Sequence, residues 1–231
     1  MMSQTAHVFE EEIVKKISIK YLLYLPEDYN KKPKAKWPTI LFLHGMGERG
    51  DDLELVKKHG IPKIVERKRS FPFIAISPQC PSDSMWTVMV EELHDLLMDA
   101  LKRYNIDETR IYLTGLSMGG FGAWHLAAAY PNLFAAVVPI CGGMIPDERF
   151  QEKIKAIKDI PIWIFHGAKD ELVPVKNSKE LYNALKKIGG NVKLTIYPKL
   201  GHDSWTVTYD NPRLYKWLLK QKRQSRSIRL D

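Results

Sequence analysis

The pentapeptide GLSMG at residues 115–119 constrains the fold of this chain more than any other segment. It follows a strand-like run at 110–114 and opens an apolar, helix-like run at 118–129. A strand that turns sharply into a helix strains the turn residue, and only small neighbours let the two elements pass closely. Gly115, Gly119 and Gly120 supply that space. The pattern therefore predicts a nucleophile elbow that exposes the hydroxyl of Ser117.

A serine hydroxyl is a poor nucleophile unless a base activates it and an acid orients that base. Candidates for both follow two further strand-like runs: Asp170 comes after the run at 160–165, and His202 after the run at 192–197. Glu171 is an alternative acid, but Asp170 has the better spacing from the preceding strand. The order Ser117, Asp170, His202 resembles that of α/β-hydrolases and differs from both serine protease orders. We predict that these three residues form a catalytic triad.

The loop after the strand-like run at 39–43 has the sequence HGMG. Acyl transfer requires two backbone N–H groups that point at the developing oxyanion, one of them from the residue after the nucleophile. The other comes from a loop that follows an earlier strand. Met118 and Met46 occupy these two positions. We therefore expect their N–H groups to form the oxyanion hole.

Over roughly residues 8–220 the chain resembles the α/β-hydrolase superfamily, and within it the lidless carboxylesterases, predicted peptidases and feruloyl-esterase-like proteins. The segment GHDSW at 201–205 carries most of the subfamily likeness. The resemblance implies a serine carboxylesterase that hydrolyses short-chain or accessible esters through an acyl-enzyme, without a cofactor. A feruloyl or acetyl-xylan esterase, a peptidase or a phospholipase would use the same triad. A catalytically silent binding protein is the non-enzyme alternative.

The spacing of the apolar runs predicts one domain of the α/β class. Two opening strands at 8–14 and 17–25 precede alternating strands and helices, which favours a mostly parallel sheet of about eight strands with helices on both faces. The span 141–159, where related folds often carry a cap, has room for about one helix. We therefore expect no large cap domain and an open site.

An open site still needs apolar surface against which a substrate can pack. Trp86, Met144 and Trp205 flank the triad and oxyanion segments, so we expect them to bind substrate. His44 and His166 each precede a glycine at a strand end, and we expect them to brace loops. No group of histidine, cysteine and carboxylate residues has the spacing of a metal site.

The 231 residues carry a formal net charge of +8, and half of this excess lies in the last twelve. We therefore predict a single domain at 1–220 and a basic tail at 221–231. The tail lacks the interleaved aromatic residues of nucleic-acid modules, so a small-molecule ester is the expected partner and nucleic acid is not. The oligomeric state stays open.

Location and redox state are weakly constrained by the sequence. No stretch of eighteen apolar residues predicts a membrane span, and no apolar signal core opens the chain. The expectation is a cytoplasmic protein, or a secreted one if a signal peptide has been removed. Cys80 and Cys141 are expected to be free buried thiols, although their spacing leaves a disulfide open.

Overall fold

The computed structural model describes residues 7–8, 10–11, 16–67, 70–145 and 147–224. Within these ranges, seven strands form one sheet. They are β1 (Tyr21–Tyr24), β2 (Trp37–Leu43), β3 (Ile74–Pro78), β4 (Ile106–Leu116), β5 (Ala136–Ile140), β6 (Ile162–Gly167) and β7 (Val192–Tyr197). The order across the sheet is β1-β3-β2-β4-β5-β6-β7. Only β1 is antiparallel to its neighbour, so the sheet is mostly parallel.

Among the described residues, five α-helices lie between successive strands and two more follow β7. They are α1 (Gly60–Arg67), α2 (Val90–Arg103), α3 (Met118–Ala129), α4 (Phe150–Ala156), α5 (Lys176–Lys187), α6 (Trp205–Asp210) and α7 (Pro212–Lys220). Two short 3₁₀ helices, Met46–Glu48 and Leu53–Lys58, lie between β2 and α1. Asn211 begins α7: its side chain accepts a hydrogen bond from the backbone N–H of Arg213, and Pro212 occupies the first helical position.

Both faces of the sheet are buried because side chains alternate along each strand. In β2, Leu41 and Leu43 pack on the face that α2 to α5 cover, whereas Ile40 and Phe42 pack on the face under α1, α6 and α7. Helix α3 is apolar on nearly all sides, since it lies against β2, β4 and β5 and also contacts α2 and α4. This is the predicted α/β-hydrolase arrangement, with helices on both faces.

The strand count is one lower than the predicted number of about eight. The expected strand at 8–14 falls largely outside the described residues, and the one expected at 17–25 is regular only as β1, from Tyr21 to Tyr24. Between β5 and β6 the described residues contain a single helix, α4, which leaves no large cap. Among the described helices, none has the length and apolarity to cross a membrane. Cys80 and Cys141 are both buried and free.

The residues after α7 contact the domain. The hydroxyl of Tyr112 donates to the backbone oxygen of Gln221 at 3.0 Å, and the backbone N–H of Arg223 donates to the carbonyl oxygen of Thr109 at 2.9 Å. The Arg223 guanidinium also reaches the carbonyl oxygen of Glu108. Gln221 and Arg223, which follow the predicted boundary at residue 220, are therefore held against β4.

Candidate active site

Ser117 lies at the turn between β4 and α3 in a strained backbone conformation, with φ 52° and ψ −117°. A non-glycine residue in this region persists only where its surroundings hold it. The backbone N–H of Ser117 donates to the carbonyl oxygen of Ile140 in β5 at 2.9 Å, which ties the turn to the next strand. The turn projects the Ser117 hydroxyl at the carboxyl edge of the sheet, where α/β proteins bind ligands.

Two glycines of α3 allow this tight turn. A Cβ atom on Gly119 would lie 2.0 Å from the carbonyl oxygen of Leu43, and one on Gly120 would lie 2.6 Å from that of Ile140. No side chain fits at such distances from backbone atoms. The first turn of α3 thus packs backbone to backbone on β2 and β5, as the spacing of the glycines predicts.

The three residues of the predicted triad are in direct contact. The Ser117 hydroxyl and His202 Nε2 are 2.8 Å apart, and His202 Nδ1 and Asp170 Oδ2 are 2.7 Å apart. The Nδ1–H group donates to the carboxylate, which leaves Nε2 free to accept the serine proton. Each residue follows the carboxyl end of a different strand, β4, β6 or β7, so parallel pairing brings them to one edge.

Asp170 accepts hydrogen bonds on both carboxylate oxygens. Oδ1 receives the backbone N–H groups of Leu172 and Val173 at 3.0 and 2.9 Å, while Oδ2 receives His202. Burial disfavours the charged form, but the bond from His202 and these backbone donors outweigh it. The pKa of Asp170 is therefore held below its ordinary value, and the group is a carboxylate at neutral pH.

His166 is a second imidazole on the same carboxylate. Its Nε2–H group faces Asp170 Oδ2 at 3.1 Å and the carbonyl oxygen of Val173 at 2.9 Å, while Nδ1 accepts from the Ser178 hydroxyl at 2.7 Å. Burial lowers the pKa of His166, with the nearby His202 acting in the same direction. His166 is thus a neutral brace of the acid loop.

Met46 and Met118 begin helical segments on opposite sides of the same cavity. The first N–H groups of a helix have no partner within it and point outward from its positive end. Both backbone N–H groups are therefore available to an anion. The loop that carries Met46 is held by Glu48, whose Oε2 accepts the N–H of Gly45 at 2.8 Å.

His44 braces the base of this loop. Its Nδ1–H donates to the carbonyl oxygen of Gly45 at 2.6 Å, and its Nε2 accepts the N–H of Cys80 at 3.0 Å. If Nε2 were also protonated, its N–H group would face the N–H group of Cys80, and neither could accept a hydrogen bond. Burial also penalises the charged form and lowers the pKa of His44 to about 4.

A cavity of about 570 Å³ opens beside Ser117. Besides Ser117, Met46, Met118 and His202, it is lined by Gly45, Gly47, Glu48, His59, Met85, Leu116, Phe121, Leu172, Val173 and Trp205. Met46, Met85 and Leu172 have exposed side chains, so the cavity has an apolar mouth. The ring of Trp205 meets that of His202 edge to face, with centroids 5.2 Å apart.

Two of the three predicted substrate-binding residues lie elsewhere. Trp86 is fully buried, and its indole N–H donates to the carbonyl oxygen of His44 at 2.9 Å. Met144 is also buried in the core under the sheet. Neither lines the cavity, because both side chains are buried in the core. Of the three, Trp205 lines the cavity.

The alternative carboxylates have other surroundings. Glu171 is exposed, next to Asp170 in the acid loop. The carboxylate of Asp203 accepts from the backbone N–H and the hydroxyl of Thr206, so it holds the first turn of α6.

Donors that could ligate a metal come within 4.8 Å of each other at Cys141, Asp170 and His202. Burial raises the pKa of Cys141 to about 12, however, and metals bind the thiolate.

Residues 29–211 match the phospholipase/carboxylesterase family. The chain belongs to this family. It is thus a serine hydrolase of the carboxylic ester class with the α/β-hydrolase fold. Curated relatives include acyl-protein thioesterase 1 of Neurospora crassa, which is 26% identical over 72% of this chain and 80% of the relative. A bifunctional acetylxylan esterase/xylanase of Neocallimastix patriciarum is 33% identical over 59% of this chain but only 20% of its own length.

Solved structures place this carboxylesterase-family chain among esterases. A thermostable esterase is 39% identical with a TM-score of 0.76, over 90% of this chain and 60% of the other. Est1E from Butyrivibrio proteoclasticus has a TM-score of 0.66 at 17% identity, a likeness of fold alone. The chain spans about three fifths of the thermostable esterase.

The cavity wall also includes residues that the sequence did not mark as site residues, among them Glu48, His59, Met85 and Phe121. Glu48 has a local signal, since it lies two residues after Met46 in the oxyanion loop. His59 has none. It reaches the cavity only because the loop before α1 folds over the mouth and packs its ring against Trp205, with centroids 5.6 Å apart.

Proposed function

We propose that this protein hydrolyses short-chain, accessible carboxylic esters through an acyl-enzyme on Ser117. The relay of two short hydrogen bonds, from the Ser117 hydroxyl to His202 and from His202 to Asp170, carries the proposal. The strained backbone of Ser117 and the two helix N-termini at the cavity, which begin at Met46 and Met118, support the same chemistry.

In the first half of the reaction, the Ser117 oxygen attacks the ester carbonyl carbon while His202 Nε2 takes its proton. The negative charge that develops on the carbonyl oxygen accepts hydrogen bonds from the N–H groups of Met46 and Met118. Asp170 stabilises the imidazolium and keeps its orientation. Collapse of the intermediate breaks the ester C–O bond, and His202 returns the proton to the departing alcohol.

Water completes the cycle. It attacks the acyl carbon, its proton passes to His202, and the Ser117 oxygen leaves with that proton as the carboxylic acid is released. Every group needed is a side chain or backbone N–H of this chain. No step calls for a cofactor.

The preference for short acyl groups rests on the shape of the cavity. Its volume of about 570 Å³ is open at an apolar mouth, and α4 alone stands where related folds carry a cap. Each methylene buried contributes about 0.8 kcal/mol, so specificity rises over the first carbons and stops where the wall ends. We expect esters of roughly two to six acyl carbons to have the highest kcat/KM.

Covalent labelling tests the nucleophile. A fluorophosphonate should add once, at Ser117, and Ser117→Ala should lower kcat by about 10⁴ or more. Ser70→Ala, at an exposed serine, is the control. A label located by mass spectrometry on another serine would contradict the assignment. A series of p-nitrophenyl esters tests the acyl group, where a steady gain to fatty chains with a jump above the solubility limit would indicate a lipase.

Thioester hydrolysis is a second candidate, favoured by the names of the relatives that cover most of this chain. The acyl-enzyme would be the same and only the leaving group would differ. Comparing butyryl thioesters with butyryl oxygen esters on the same enzyme separates the two. A thioester kcat/KM above that of the oxygen ester by more than its intrinsic reactivity would favour the thioesterase.

A further inference from the structure

The carboxylate of Glu48 lies on the wall of the cavity with one oxygen unused. The residue is 6% exposed, and its Oε2 accepts the N–H of Gly45. Within the part of the chain that the structure describes, no hydrogen bond reaches Oε1. The nearest cationic or imidazole nitrogen is His59 Nε2 at 3.9 Å. A carboxylate oxygen on the wall of an open cavity can accept a hydrogen bond from a bound molecule.

His59 presents the matching group across this gap. Its Nδ1 is buried and has no hydrogen-bond partner among the described residues, and its ring stands edge to face against Trp205. The ring therefore meets ligands through Nε2, which faces the carboxylate and donates a hydrogen bond when it carries the proton. His59 is partly exposed at the cavity and can be reached by a bound molecule.

The distance between the two groups selects what fits between them. A separation of 3.9 Å is too long for a direct hydrogen bond. One oxygen atom can bridge the two groups: if it makes a hydrogen bond of about 2.8 Å to each of them, and the two bonds meet at nearly a right angle, the groups lie this far apart. A hydroxyl accepts from the Nε2–H and donates to Oε1, whereas an ammonium group only donates.

Ring contacts connect the pair to His202, the proposed catalytic base. The leaving oxygen must face His202 Nε2, since that atom returns the proton. From His202 the wall continues through Trp205 to His59, by ring contacts of 5.2 and 5.6 Å. An alcohol that extended from His202 along Trp205 would bring its outer groups to His59 and Glu48.

We propose that Glu48 and His59 form a subsite for a hydroxyl group on the leaving alcohol, so that the preferred substrates are esters of polyols. This inference rests on the proposed function and names the alcohol half of its substrate. A ligand hydroxyl replaces water between the two residues and keeps both hydrogen bonds.

The test compares two butyrate esters that differ only in hydroxyl groups: 2,3-dihydroxypropyl butyrate and propyl butyrate. The ratio of their kcat/KM values should be about ten or more in the unmodified enzyme, the factor expected for one hydrogen bond to a charged group. Glu48→Gln and His59→Phe should each bring the ratio close to one. Glu54→Gln removes an exposed carboxylate in the neighbouring 3₁₀ helix and should leave the ratio as it is.

Two variants keep the test decisive. If Glu48→Gln loosens the oxyanion loop and fails to fold, the ratio can still be measured in His59→Phe, because phenylalanine preserves the ring beside Trp205. A ratio near one in the unmodified enzyme, or a ratio that neither substitution changes, would overturn the subsite. So would a larger gain with butyrylcholine that Glu48→Gln abolishes, since the carboxylate would then hold a cation.

Two further outcomes test whether the subsite serves the alcohol or the acyl group, and how it depends on the proposed esterase activity. Propyl 3-hydroxybutyrate carries its hydroxyl on the acyl side, and if it alone is favoured the subsite does not serve the alcohol. Hydrolysis of propyl butyrate that Ser117→Ala abolishes establishes the proposed function independently of the ratio. If both esters are left intact by the unmodified enzyme, the proposed function itself fails and the subsite with it.

Discussion

His166 donates to the Oδ2 atom of Asp170, the same oxygen that receives the proposed catalytic base. Two imidazoles therefore share one carboxylate oxygen, and only one of them reaches the cavity. The second imidazole fixes the carboxylate from behind while drawing electron density away from it. His166 is a positioning residue whose effect passes through Asp170.

Replacing His166 by phenylalanine should lower kcat about tenfold, well short of the loss from Ser117→Ala. The carboxylate would lose one donor, become more basic and stabilise the imidazolium more strongly. The acid limb of the kcat/KM profile should therefore move to higher pH, a change that a merely structural defect would not produce. His94→Gln, at the surface of α2, is the control. An unshifted acid limb in His166→Phe would contradict the positioning role.

The choice of Asp170 over Glu171 can be tested with a pair of isosteric changes. Asp170→Asn should lower kcat by about 10⁴, because an amide facing His202 favours the wrong tautomer. Glu171→Gln alters an exposed side chain and should change kcat by less than about twofold. Circular dichroism checks that both variants fold. The reverse order of activities would assign the acid to Glu171.

Stability should fall as the pH drops, in part because His44 stays neutral in the folded protein. Its pKa is about 4 when folded, against 6.5 for the free side chain. The unfolded chain therefore takes up a proton that the folded one refuses, and the stabilisation present above pH 6.5 is progressively lost towards pH 4. His44 alone should remove about 2 kcal/mol of unfolding free energy between pH 7 and pH 5.

Urea unfolding at pH 7 and pH 5 measures the contribution of His44 to the free energy of unfolding. His44→Gln should be less stable at pH 7 but should lose less on acidification, because glutamine does not titrate. His94→Gln provides a histidine at the surface of α2 for comparison. The same loss in His44→Gln as in the unmodified protein would mean that other groups cause the pH dependence. His166 contributes in the same direction, since its pKa is also lowered.

The contacts after α7 predict where the chain can be shortened. A protein that ends at Gln224 should keep its Tm. One that ends at Lys220 loses the bonds of Gln221 to Tyr112 and of Arg223 to Thr109, and its Tm should fall by a few degrees. Thermal melts of the two lengths decide the matter. Equal Tm values for the two proteins would mean that the residues after Lys220 add no stability to the domain.

Sequence reasoning predicted the elements whose signals are local. A glycine pattern marks the turn at Ser117, and apolar runs before Asp170 and His202 mark strands that must end at one edge of a parallel sheet. The wall of the cavity was harder to predict. Whether Trp86 faces the cavity or the core depends on the path of its loop over α3, and nothing within the loop determines that path.

The close approach of Gly119 to the carbonyl oxygen of Leu43 has a further consequence. Met46 comes three residues after that oxygen and Met118 one residue before that glycine, so the nucleophile and both proposed oxyanion donors are joined through main-chain contact. Loss of activity on heating should then coincide with global unfolding, because the spacing of these groups depends on the packing of main chain against main chain.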